Sequence, residues 1–125
     1  MICMGENRRI VKSFRERMVK SLLDVLILKS VKDGDSLTGY NMMINFDEKF
    51  GVRLSSGTIY STLYNLEHKG LIRSQLKGRN RVYALTEKGQ SFIGALADDQ
   101  QAQQFIVLLE RPLTSVHVQK ASEHH

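Results

Sequence analysis

The sequence predicts a mainly α-helical fold that carries one small β-hairpin, and three observations support that expectation. From Leu54 to Ile72 the apolar residues Ile59, Leu63 and Leu66 recur at helical spacing. The next segments, Leu71 to Lys77 and Arg81 to Leu85, instead alternate with the period of two that marks strands, on either side of Gly78-Arg79-Asn80. Pro112, the single proline of the 125 residues, ends helical continuation.

The elements follow in order. From about Ser13 to Val31 the pattern is helical, and Leu22-Leu23-Asp24-Val25-Leu26-Ile27-Leu28 is apolar nearly all round, as in a central buried helix. Lys32-Asp33-Gly34-Asp35 is a turn by composition. Ser36 is placed to cap a second helix running to about Phe50, with Leu37, Tyr40, Met43, Ile44 and Phe50 expected inside and Gly51 as its stop. Ser55 can cap the third helix, because its hydroxyl can accept from the orphan amides of the first turn. Gly70 stands where the left-handed C-terminal cap belongs. After the hairpin, Thr86 caps a helix that starts near Glu87. The order helix, helix, helix, hairpin, helix is that of a helix-turn-helix followed by a two-stranded wing.

Composition bounds the class. A chain of 125 residues with 42% hydrophobic and 25% charged residues matches one soluble globular domain. Its single cysteine, Cys3, allows no intrachain disulfide and favours a reducing, cytoplasmic setting. The apolar start Met1-Ile2-Cys3-Met4 is too short for a signal peptide, and no run reaches the length of a membrane span. The net charge of +5 suits a polyanionic partner. The charge is concentrated: residues 1–35 carry +3 and residues 71–89 carry +4, whereas residues 36–70 are neutral and residues 90–125 carry −2. The two basic clusters are an N-terminal arm (Arg8, Arg9, Lys12, Arg15, Arg17) and the hairpin turn (Lys77, Arg79, Arg81).

The helix from Ser55 to Lys69 lies between them. The face opposite Ile59, Leu63 and Leu66 carries Gly57, Thr58, Ser61, Tyr64, Asn65 and His68, with no acidic side chain. Such a polar face can lie in a DNA major groove.

These residues resemble a known family. Leu54, Ser55, Gly57, Thr58, Ile59, Tyr60, Leu63, Leu66, Glu67, Gly70, Leu71 and Ile72 match the third-helix pattern of PadR-type winged-helix transcriptional regulators. Leu37-Thr38-Gly39-Tyr40 resembles the opening of that family's second helix. Tyr83-Ala84-Leu85-Thr86-Glu87-Lys88-Gly89 resembles its exit from the wing, a motif shared with MarR-type regulators. The resemblance covers about residues 20–90. Asn65 departs from it, because the family usually has a basic residue there. The resemblance implies a homodimer that binds operator DNA, usually as a repressor.

Carried onto this sequence, the expected DNA-binding residues are Ser55, Ser56, Gly57, Thr58, Tyr60, Ser61, Tyr64 and Asn65 on the helix, with Lys77, Arg79, Asn80 and Arg81 on the wing. Ser55, Ser56 and Gly57 open a helix whose unpaired amides and positive dipole end can hold a phosphate. Thr58, Ser61 and Tyr64 are placed to meet base edges or backbone, and since hydroxyls read bases ambiguously, specificity is shared with DNA shape. Tyr60 sits at the edge between faces. Arg79 and Arg81 can straddle a phosphate or probe the minor groove. Glu67 reads better as a structural ion pair or hydrogen bond, and His68 as a solvated side chain. Two symmetric copies of the helix would meet successive major grooves on a palindromic site.

Residues 1–86 are thus expected to form the winged helix-turn-helix domain with its basic arm, residues 87–111 a helical dimerisation segment, and residues 112–125 a flexible tail. In the segment, Phe92, Ile93 and Leu96 make one apolar stripe and Phe105-Ile106-Val107-Leu108-Leu109 another, separated by a polar stretch from Asp98 to Gln104. One long helix and two helices, the second capped by Asp98 or Asp99, both fit. The terminal His124 and His125 are not taken as a metal site. Neither a metal nor another cofactor is expected. An effector at the dimer interface is open; without Trp, Phe92, Phe105 and the methionines would have to line its pocket. The rival class is a winged-helix protein-interaction module that does not touch DNA. An enzyme is disfavoured: no Gly-x-x-x-x-Gly-Lys loop, metal-ligand spacing or catalytic triad emerges.

Overall fold

The computed structural model describes residues 4–34 and 37–110. The elements are α1 (Met4–Ser21), α2 (Leu23–Asp33), α3 (Gly39–Phe50), α4 (Ser56–His68), β1 (Ile72–Lys77), β2 (Asn80–Leu85), α5 (Glu87–Asp98) and α6 (Gln100–Leu109). This is the expected winged helix-turn-helix, with α3 and α4 as the helix pair and β1–β2 as the wing. The expected cap at Ser36, the stop at Pro112 and the tail over 112–125 lie outside the described residues.

The core gathers where the all-round apolar helix predicts it. Leu26, Ile27 and Leu28 of α2 are almost wholly buried, against Met42 and Phe46 of α3, Ile59, Leu63 and Leu66 of α4, and Ile72 at the foot of the wing. Each such side chain contributes about 1.5–3 kcal/mol on burial. Ile93 of α5 and Ile106 and Leu109 of α6 extend the same core.

Two expectations need correction. The single helix from about Ser13 to Val31 is two helices, and the first begins as early as Met4. They meet at Leu22, whose φ of −107° and ψ of 17° leave the helical region. The second correction concerns α3. Leu37, Tyr40 and Ile44 are exposed, while Met42, Phe46 and Phe50 point inward and Met43 is partly buried. Packing sets the inward face: Phe46 and Phe50 meet edge to face with ring centroids 5.3 Å apart, while Thr38 caps the helix, its hydroxyl accepting from the Asn41 amide at 3.1 Å. The buried stripe then runs 42, 46, 50 at four-residue spacing. Gly51 ends α3 in the left-handed conformation, as expected.

The wing pairs Ile72 with Leu85 and closes at Lys77 and Asn80, so Gly78 and Arg79 form the tip. Gly78 supplies the positive φ of 64° that so tight a turn demands. The wing is fastened to the helices by backbone: the Tyr83 amide donates to the Leu37 carbonyl at 2.8 Å, which binds the segment ahead of α3 to β2. Thr86 secures the other end. Its amide donates to Leu71, its hydroxyl donates to the Gly70 carbonyl at 2.6 Å, and the same hydroxyl accepts from the Gly89 amide to cap α5.

Of the two arrangements open to the last third, the chain adopts two helices. Asp99 starts α6 by accepting from the Ala102 amide at 2.8 Å.

Candidate nucleic-acid interface

Helix α4 starts and stops as its sequence dictates. The Ser55 hydroxyl accepts from the Thr58 amide at 3.1 Å. At the far end the Leu71 amide reaches the Leu66 carbonyl and the Gly70 amide reaches Glu67, while Gly70 takes a φ of 79°. This paired closure satisfies the last carbonyls and turns the chain directly into the wing. With Ile59, Leu63 and Leu66 buried, Ser55, Ser56, Gly57, Tyr60, Ser61, Tyr64 and Asn65 are all exposed on one continuous surface, and Thr58 is half-buried. Tyr64 is 68% exposed, and its ring lies nearly parallel to that of His68 with centroids 6.2 Å apart.

Several hydroxyls on this face are already engaged. Those of Ser55 and Thr58 share a hydrogen bond at 2.9 Å, and Ser61 donates back to the Thr58 carbonyl. The proton of Ser61 being used, its oxygen presents lone pairs outward and is an acceptor.

Lys77, Arg79, Asn80 and Arg81 are exposed on the wing. Arg81 is held in place: its Nη1 donates to the Ser74 hydroxyl at 3.0 Å, and that hydroxyl donates to Glu67 Oε2 at 2.8 Å. Glu67 is therefore the structural hydrogen-bond partner the sequence predicts, and it joins the end of α4 to the wing. Burial raises the Tyr83 phenol above its usual 10.0, opposed by the nearby Arg81 charge and assisted by Glu67.

Tyr60 joins α4 to α3. A Cβ on Gly39 would lie 2.5 Å from Tyr60 Cζ and 2.6 Å from its hydroxyl oxygen, so only glycine lets that ring rest on the start of α3. Beside it opens a groove of about 400 Å³ between α3 and the hairpin tip, lined by Thr38, Tyr40, Asn41, Tyr60, Arg79 and Arg81 among others, and by no carboxylate. Sequence reasoning places Tyr40 inside and passes over Asn41. Met42, Phe46 and Phe50 at four-residue spacing are the signal that turns both outward.

The N-terminal basic cluster divides. Arg8, Arg9, Lys12 and Arg17 are exposed along α1. Arg15 turns inward, and its Nη2 donates to the carbonyl oxygens of Phe50 at 2.8 Å and Leu109 at 2.7 Å. One cation thus serves the C-terminal ends of both α3 and α6, where the helix dipoles favour positive charge. Burial lowers its pKa from the ordinary arginine value.

Among the described residues no group of three or more His, Cys, Asp or Glu side chains could hold a metal ion. No helix among them is long and apolar enough to cross a membrane.

Comparison with known proteins agrees with this geometry. The family model described as "Transcriptional regulator PadR-like family" matches residues 27–95. Bacillus subtilis PadR, solved in complex with operator DNA, is 26% identical with a TM-score of 0.53; the match covers 63% of this chain and 48% of that one, so the chain spans about half the length of that relative. A PadR family transcription regulator from Clostridium difficile is 26% identical with a TM-score of 0.58, over 70% of this chain and 94% of that one. A PadR family regulator from Eggerthella lenta, at 20% identity and a TM-score of 0.60, shares the fold over 98% of this chain and all of its own. No curated protein matches significantly. With the family model covering more than half of its residues, the chain belongs to the PadR-like family of transcriptional regulators.

Proposed function

We propose that this regulator is a homodimer that binds double-stranded DNA in the cytoplasm and represses transcription from a palindromic operator. The observation that carries the reading is the exposed, acid-free face of α4 beside the cationic wing tip of Lys77, Arg79 and Arg81. On this reading α4 enters the major groove. Amides of Ser56 and Gly57 at its first turn hold a phosphate with help from Ser55, and Thr58, Ser61, Tyr64 and Asn65 face base edges and sugars. Tyr60, Lys77, Arg79, Asn80 and Arg81 grip the backbone beside it. The operator complex of the Bacillus subtilis relative supports this use of the fold.

Dimerisation is assigned to the outer helices. On α1, Ile10, Val11 and Phe14 are exposed; on α6, Phe105, Val107 and Leu108 are exposed, with Phe92 on α5. These apolar surfaces are more than a monomer needs to show and suit burial against a second copy. Two reading helices related by a twofold axis would lie about one DNA turn apart, ~34 Å, and so require half-sites at that spacing.

Selection of bound fragments from a random duplex library tests the reading. A recovered palindrome with half-sites one turn apart supports it. Recovery of no sequence, with no retention of duplex DNA, would leave the fold as a protein-docking module.

A further inference from the structure

We propose that a cleft between the end of α2, the root of the wing and the start of α5 binds a medium-chain aliphatic carboxylate. The cleft has a volume of about 490 Å³, within the range of small-molecule sites. None of its described lining residues belongs to the proposed DNA face or to the apolar surfaces assigned to dimerisation. The proposal therefore goes beyond the DNA-binding reading and does not depend on it.

Two kinds of side chain line the cleft. Val31, Leu85 and Ile93 are buried aliphatic residues, Ala84 is half-buried, and Leu37 is 42% exposed. The polar part comes from three separate elements. Lys32 stands at the end of α2, Arg73 stands on β1 opposite Ala84 of β2, and Gln90 adds an amide donor from the first turns of α5. Both cations are exposed, and among the described residues neither has an ion-pair partner. Asp33, next to Lys32 in the chain, is engaged by Lys29 at 2.9 Å. No carboxylate is among the described lining residues, so an incoming carboxylate meets two positive charges and no repulsion.

The walls are in place before a ligand arrives. The Tyr83 amide holds the Leu37 carbonyl at 2.8 Å and so fixes Leu37 beside β2. The Thr86 hydroxyl accepts from the Gly89 amide at 3.0 Å and fixes the turn of α5 that carries Gln90. A site built in advance loses less affinity to ordering its own parts. The lining also selects the class of ligand. An inorganic anion would leave the aliphatic wall uncovered, and a neutral hydrocarbon would leave Lys32 and Arg73 unpaired. A carboxylate on an aliphatic chain satisfies both.

Isothermal titration calorimetry of the full chain with octanoate tests the site. One octanoate should bind per chain. Butanoate should bind at least about tenfold more weakly, because each methylene moved out of water strengthens binding about three- to fourfold. Octylammonium, the same chain with the opposite charge, should not bind at concentrations that saturate the site with octanoate. Lys32→Gln with Arg73→Gln should weaken octanoate binding about tenfold or more. Both positions are exposed, so the unfolding temperature should not change. Lys12→Gln with Arg17→Gln removes the same charge from α1, beside the exposed Ile10 and Phe14, and should alter binding less than about twofold. The proposal is overturned by absence of octanoate binding, by equal affinity for butanoate or octylammonium, or by equal effects of the two double variants. Each of those results leaves the DNA-binding reading intact.

Discussion

Arg81 and Glu67 are joined through one hydroxyl: the guanidinium donates to Ser74 Oγ at 3.0 Å, and Ser74 donates to the Glu67 carboxylate at 2.8 Å. An acidic side chain close to a surface proposed to meet phosphate is thereby turned to use, because its charge holds an arginine in position. All three residues are at least partly exposed, so the link contributes little to folding. Ser74→Ala should cost less than about 1 kcal/mol of stability. By freeing Arg81 it should weaken duplex binding by about three- to tenfold. Urea unfolding and anisotropy titration on the same preparation separate the two effects.

The wing can be tested as a whole. Arg79→Ala with Arg81→Ala should leave the circular dichroism spectrum unchanged and weaken DNA binding. For every phosphate that the variant no longer neutralises, the plot of log affinity against log salt should flatten by about 0.9. Unchanged affinity would remove the wing from the interface.

Arg15 predicts a stability effect instead. Its removal orphans the last carbonyls of both α3 and α6, so Arg15→Met should destabilise the protein by about 1–3 kcal/mol in urea unfolding. Arg17→Ala, on the exposed side of the same helix, should fall within about 0.5 kcal/mol of the parent.

Two glycines should respond in opposite ways. A Cβ on Gly89 would collide with the Leu71 carbonyl oxygen in the backbone, so Gly89→Ala should cost about 1–3 kcal/mol or more. The three atoms nearest a Cβ on Gly39 all belong to the side-chain end of half-exposed Tyr60, which can swing aside. Gly39→Ala should therefore leave the unfolding temperature nearly unchanged and weaken DNA binding by displacing Tyr60.

Tyr83 gives a pH dependence. Its phenol is held above the usual 10.0 chiefly by burial, so the folded state retains the proton that the unfolded chain releases. The associated stability is fully present below about pH 10 and is lost as pH rises through the folded-state value. Tyr83→Phe should flatten the alkaline limb of a stability-versus-pH curve.

How far the sequence foretells this structure follows from how each residue signals. Ser55, Gly70, Gly51 and Thr86 act within one turn of themselves, and all four perform the capping or terminating role their type and position imply. Ile59, Leu63 and Leu66 carry a clear stripe, and all three are buried. The buried face of α3 is ambiguous in the sequence because Tyr40 and Ile44 stand at the same four-residue spacing as Met42 and Phe46, and only the second pair is buried. Residues 5–14 of α1 are all exposed, so no buried stripe marks them as helical. Arg15 looks like Arg8 or Arg17 in the sequence, since its partners lie 35 and 94 residues away. The arginine-lined groove is hidden for the same reason: it brings together residues 38–41, Tyr60 and the wing tip.

Backbone phosphates are proposed to carry most of this regulator's grip on DNA, with α4 supplying hydroxyls and shape. Duplex affinity followed across salt concentration decides the matter. If six to ten phosphates are neutralised by a dimer, affinity should fall by about three to five decades between 50 and 200 mM salt. Affinity independent of salt, or no binding to any duplex at 50 mM salt, would contradict that reading.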